Sequence, residues 1–195
     1  MSADPDPAEA AAGVRRGAVR VCVDLNVWAA ELLAIRRGRT DTSARICADA
    51  VREGRSAVGD LHLVVSWGML TRLRDVLERK LAIPPGEAGP HLDEIVQTAR
   101  VGTLGAPLVV LGGTGVMPVR DTEDAHVVDV AVAGRADVIV TGNFADFVSY
   151  RTEVVRAGRV AVIAHAGGRV AVVHPAELAR WVGGGEVPAG VLPDA

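Results

Sequence analysis

A chain of 195 residues with 49% hydrophobic content and a mean hydropathy of +0.26 can bury one sizeable core, and two full domains would be cramped. Its formal net charge of −3 excludes a bulk polycationic binding mode, although local arginine clusters can still steer an anion. No charged-then-apolar leader opens the chain and no run of about eighteen apolar residues occurs, which points to a cytoplasmic protein without membrane contact.

Residues 1–17, rich in Ala, Pro and charge, read as a loose N-terminal tail, 18–183 as one domain and 184–195 as a Gly/Pro-rich C-terminal tail. Val19, Val21 and Val23 alternate with Arg20 and Cys22, a strand signal that gives way at Asp24 to a helix carrying Trp28, Leu32 and Ile35. A second helix is predicted over Ser43 to Glu53, a strand over Leu61 to Val65, and a helix over Trp67 to Lys80. Ile83-Pro84-Pro85-Gly86 marks a break. A helix over His91 to Arg100, a short buried run at Leu108 to Leu111 and a Gly112 to Gly115 loop follow. Asp121 opens a helix to about Ala133. Strands are predicted at Val138 to Val140, Val160 to Ile163 and Arg169 to Val173, and a last helix from Pro175 through Trp181. Strands alternating with helices imply an α/β domain, a mainly parallel central sheet with helices on both faces.

Such sheets bind ligands at the carboxyl ends of their strands. The first strand ends in Asp24-Leu25-Asn26, the second in Ser66, and a later one in Thr141-Gly142-Asn143, so short polar side chains arrive at one edge. Asp124 lies in the first turn of the preceding helix, and Asp146 follows Asn143 by three residues. Gathered carboxylates repel each other unless a cation neutralises them. Oxygen donors without a His or Cys companion suit a hard ion, Mg²⁺ or Mn²⁺. A metal so held can activate water and stabilise charge on a phosphate, which is the chemistry of phosphodiester hydrolysis.

The stretches VDLNVW (23–28), DTEDAHVVDVAVAGRADVIVTGNFADF (121–147) and VVHPAELARWV (172–182) resemble a PIN domain, in particular bacterial PIN proteins that include the VapC-type toxin ribonucleases. The resemblance runs over about residues 19–182 and implies a single PIN-like domain acting as a divalent-metal-dependent endoribonuclease. It implies metal-ligating and catalytic roles for Asp24, Asp124 and Asp146, and polar support from Asn26, Ser66, Thr141 and Asn143. An RNA substrate, a homodimer and, in a toxin-antitoxin pair, a small antitoxin partner follow from the same resemblance. One position departs from it. The family usually carries a glutamate about six residues past the strand-ending serine, where this chain has Arg72. Asp75, one turn later, is the candidate substitute. A catalytically degenerate module that binds RNA or protein is the alternative.

Structural roles compete with these. Asp24 can simply cap the helix after it, and Asp121, heading D-T-E-D, fits a helix cap better than a metal role. Arg36, Arg37 and Arg39 form the candidate RNA-phosphate patch, though arginines at a helix C-terminus also answer its dipole. The five histidines show no zinc-binding spacing and read as singletons.

Overall fold

The computed structural model of the chain describes residues 17–101, 109–110, 122–148 and 152–192, with the side chains of 109–110 and 122–125 outside that description. Residues 1–16 of the predicted 1–17 tail, the Gly112 to Gly115 loop and Asp121 therefore lie outside the described residues, as does the Asp124 side chain.

Strand β1 (Val19–Val23) sits at the centre of the sheet, where Val21, Cys22 and Val23 are wholly buried. A strand with both faces covered reads as a nearly continuous apolar run, which is why VRVCV and VIV serve here. The second of these is β5 (Val138–Val140), parallel to β1 on one side, while β3 (Gly59–Ser66) runs parallel on the other. Two short strands share the outer side of β3: β2 (Arg55–Ser56) antiparallel at its start and β4 (Val109–Val110) parallel at its end. Beyond β5 come β8 (Gly168–Val173), parallel, then β7 (Val160–His165) and β6 (Thr152–Arg156), both antiparallel to their neighbours. The order is β2-β3-β1-β5-β8-β7-β6, with β4 also on β3.

Helices α1 (Leu25–Arg36), α2 (Ser43–Glu53), α3 (Trp67–Asp75), α4 (Pro85–Val101), α5 (Thr122–Ala133) and α6 (Pro175–Val182) connect and cover these strands. The α/β architecture expected from the sequence is the one observed. Several details differ. Helix α4 starts at Pro85, six residues before the predicted His91, because proline at the first helical position loses no hydrogen bond. The predicted Trp67 to Lys80 helix is α3 followed by a π-helical turn at Val76–Lys80. Strand β6 went unread because it is an edge strand with adjacent exposed valines, Val154 and Val155, and so carries no alternation. Past the predicted domain end, Val191 and Leu192 are buried and join the core. Among the described residues, no helix is long and apolar enough to cross a membrane.

Charge is buried between helices. Glu31 of α1 is fully buried and receives both prongs of the Arg52 guanidinium of α2, at 2.9 and 3.1 Å. Arg52 also lies over the Trp28 ring, 5.7 Å from its centroid. His91 of α4 packs edge-on against Trp28 with its Nε2 3.5 Å from Glu31. It is thus no singleton. Burial, aided by Arg52, holds the His91 imidazole below its ordinary range in spite of Glu31 and Glu94. With the folded-state value lowered, the native chain binds fewer protons than the unfolded one, so this contribution is complete above about pH 6.5 and falls as pH drops below it. The Tm advantage of the wild type over His91→Phe should accordingly narrow between about pH 7 and pH 5. A gap that stays constant or widens on acidification would contradict a buried neutral His91.

Candidate functional site

The parallel register decides what meets at the carboxyl edge. Val23 pairs with Val140, so Asp24 leaves the sheet beside Thr141, and Cys22 opposite Val64 brings Ser66 to the same level. The Asp24 amide continues the ladder by donating to the Val140 carbonyl at 2.9 Å.

Asp24 is 5% exposed. Its Oδ2 accepts from the Thr141 hydroxyl at 2.7 Å and from the Asn26 side-chain amide at 2.6 Å. Asn26 Nδ2 also reaches Thr141 Oγ1 at 3.3 Å, and its Oδ1 accepts from the Gly142 amide at 2.9 Å. The Asn143 amide in turn donates to Thr141 Oγ1 at 3.0 Å. Asn26 thereby ties the exit of β1 to the exit of β5. Glycine at 142 permits this closeness, because a Cβ there would stand 3.2 Å from Asn26 Oδ1.

Asp24 occupies the N-cap position of α1, yet its side chain makes no capping hydrogen bond. Its hydrogen bonds to side chains run instead to Thr141 and Asn26, so capping alone does not account for this residue. Burial pushes the Asp24 carboxyl above its usual range, opposed by the Thr141 hydroxyl, the Leu25 amide and the side-chain and backbone amides of Asn26. All its side-chain hydrogen-bond partners are neutral, and among the described residues no Lys or Arg forms an ion pair with it.

Ser66, expected to support the site, is fully buried and spends its Oγ capping α3, accepting from the Met69 amide at 3.1 Å. Asn143 contributes its backbone, and its side chain is exposed. Asp146 is exposed on a 3₁₀ turn, Phe144–Phe147, that is pinned by the buried Phe144 and Phe147 and by the Asp146 amide bonding the Asn143 carbonyl at 3.0 Å. Asp124 lies in the first turn of α5. From the same helix His126 reaches the exit of β3, its Nε2 2.9 Å from the point where a Gly68 Cβ would stand and Ser66 Oγ 3.7 Å from that point. No spacing in the sequence announces this, since it depends on how α5 crosses β3.

Other candidates lie elsewhere. Arg36 and Arg39 pair with Glu87 and Asp41 at 3.6 and 3.8 Å. With Arg37 they sit at the far end of α1, roughly 18 Å along the helix from Asp24. The structure does not bring this patch to the Asp24 edge. Asp75 is exposed and pairs with Arg79 at 3.5 Å, and it shares an open groove with Arg72.

Among the described residues, no three His, Cys, Asp or Glu side chains are grouped to hold a metal. The donor chemistry at Asp24 nonetheless fits one ligand of a hard cation: a buried carboxylate, oriented by neutral donors and raised in pKa by the loss of water.

A family model of the PIN domain matches residues 20–145. That span is more than half of the chain and holds Asp24, Asn26 and the whole exit of β5, and the chain belongs to the PIN-domain family. PIN domains are generally nucleases and usually use divalent metals. Comparison with curated proteins and with solved structures finds no match.

Thr141 is the keystone of the hydrogen bonds at this edge. Thr141→Val keeps the shape and removes the hydroxyl, leaving the Asn143 amide and the Asp24 carboxylate each one partner short; denaturant melts should show a loss of about 1–3 kcal/mol. Thr141→Ser should lose less than half as much. A loss for Thr141→Ser as large as or larger than a small loss for Thr141→Val would assign the effect to packing of the methyl group instead of the hydroxyl.

Proposed function

We propose that this chain is a divalent-metal-dependent endoribonuclease, with Asp24 as its central metal ligand. The observation that carries this reading is the buried Asp24 carboxylate, held by Thr141 and Asn26 at the edge where β1 and β5 end. Asp124 and Asp146 would complete the ligand set with Mg²⁺ or Mn²⁺. A bound cation would supply activated water and charge neutralisation at phosphorus. The chain's own part is orientation. Both side-chain hydrogen bonds fall on Oδ2, which fixes the orientation of the carboxylate that would hold the ion. Because burial raises the Asp24 carboxyl above its usual range, protons would compete with the ion for it, and affinity should rise with pH through that titration.

The test is Mn²⁺-dependent cleavage of a mixed RNA pool, lost when EDTA is added. Retained RNA binding with no cleavage at any Mn²⁺ concentration would instead support a non-catalytic PIN-like module. Arg72, at the position where the family usually carries glutamate, is the observation that favours this second reading. A toxin role would add a small antitoxin protein that masks the Asp24 edge, and a homodimer. Both are open to co-purification and to light scattering.

A further inference from the structure

Helix α3 and the π-helical turn after it carry an exposed aromatic ring and four cations, Arg72, Arg74, Arg79 and Lys80, interleaved with Asp75 and Glu78. Trp67, the residue after Ser66, is 48% exposed, whereas Trp28 and Trp181 are 1% and 0% exposed. A large aromatic at a helix start gains nothing in water, and Trp67 directly follows Ser66, the last residue of β3, so its backbone stands at the carboxyl edge of the sheet. Trp67, Thr71 and Arg74 line one depression whose other wall is Leu92, Asp93 and Val96 of α4. Thr71 also borders the open groove of about 580 Å³ whose far end is formed by Arg79 and Lys80. Gly68, Thr71, Asp75 and Arg79 follow helical spacing, so the groove runs along one stripe, from the carboxyl edge through the π-helical turn, for roughly 20 Å. The Asp75–Arg79 pair in it is exposed and readily screened.

An aromatic face beside a track of cations is the surface that unpaired nucleic acid requires: bases stack on the ring while the phosphates meet the charges. We infer that α3 and its π-helical turn are the binding track for a single RNA strand, with Trp67 stacking an unpaired base beside the Asp24 edge and Arg74, Arg79 and Lys80 contacting backbone phosphates. The choice of RNA rests on the ribonuclease reading; the track itself rests on the exposed ring and the groove. It replaces the arginines at the end of α1 as the phosphate-contacting patch.

The experiment is a fluorescence titration of the full chain with an unstructured RNA oligonucleotide of about 12 nucleotides, without divalent metal. Trp67 is the tryptophan that solvent and bases can reach, so binding should quench its emission. Trp67→Ala should abolish the quench and weaken binding, followed by anisotropy, about 5- to 100-fold. Arg79→Gln with Lys80→Gln should reduce the slope of log K against log salt by about 1.4, two phosphate contacts' worth. A duplex of equal length should bind more weakly and leave Trp67 bright. Saturable binding with unchanged emission, wild-type affinity in Trp67→Ala, an unaltered salt slope, or no binding would each overturn the proposal. RNA that quenches Trp67 yet is never cut with Mn²⁺ would leave this track standing and remove the ribonuclease reading. Cleavage by Trp67→Ala with unchanged affinity would do the reverse.

Discussion

Arg52→Met is expected to destabilise the fold by about 3–5 kcal/mol, lowering Tm by roughly 10 °C, more than any surface change in this chain. The reason is Glu31, which has no exposed surface and faces the Arg52 fork with both oxygens. Arg45, 3.8 Å away and partly exposed, is a poor replacement. Arg52 also answers Asp49 at 3.3 Å, and its Nε stands 3.1 Å from Glu94, in charge contact without hydrogen-bond geometry. Losing the guanidinium leaves a buried carboxylate that must either stay charged and unpaired or take up a proton. The double variant Glu31→Met with Arg52→Met should be less damaging than Arg52→Met alone, because apolar packing replaces a pair without stranding either charge. Chemical denaturation of the three proteins measures this. An Arg52→Met loss below about 1 kcal/mol, or simple additivity, would show that the pair is not the clasp between α1 and α2 described above.

Asp24→Asn should have two opposite effects. RNA cleavage should fall by at least about 100-fold, since an amide is a poor ligand for a hard cation. Stability at pH 7 should rise, with Tm higher by about 2–4 °C for each kcal/mol relieved. The direction follows from linkage. The folded-state pKa of Asp24 is raised by burial, so between the unfolded and folded values the native state binds more protons. Its contribution is fully present below the ordinary aspartate range and is lost as pH rises through the folded value. The variant's advantage should therefore be largest at neutral pH and shrink on acidification toward about pH 4. A less stable Asp24→Asn at pH 7 would mean that the carboxylate braces the fold, and its reading as a site residue would lose its main physical support.

The two polar exits were legible because apolar runs that stop at D-L-N and T-G-N are visible in one dimension. What joins them was not, since the Asn26 contacts to Thr141 and Gly142 exist only once the register of β1 against β5 is set. Helix direction also had to come from the fold. Arg36, Arg37 and Arg39 looked like an anion patch until α1 carried them away from the Asp24 edge. The Glu31–Arg52–His91 contacts join residues far apart in the chain, for which periodicity offers no signal. Ser66 ends β3 at this edge, but its hydroxyl serves α3, a use that the sequence does not distinguish from site support.

Titration of Mn²⁺ into the metal-free wild type and Asp24→Asn, followed by calorimetry at two pH values, tests the central claim most directly. Saturable binding to the wild type that strengthens with pH and disappears in Asp24→Asn is the predicted result. Equal binding by the two proteins, or none by either, would contradict the assignment of a metal site to Asp24.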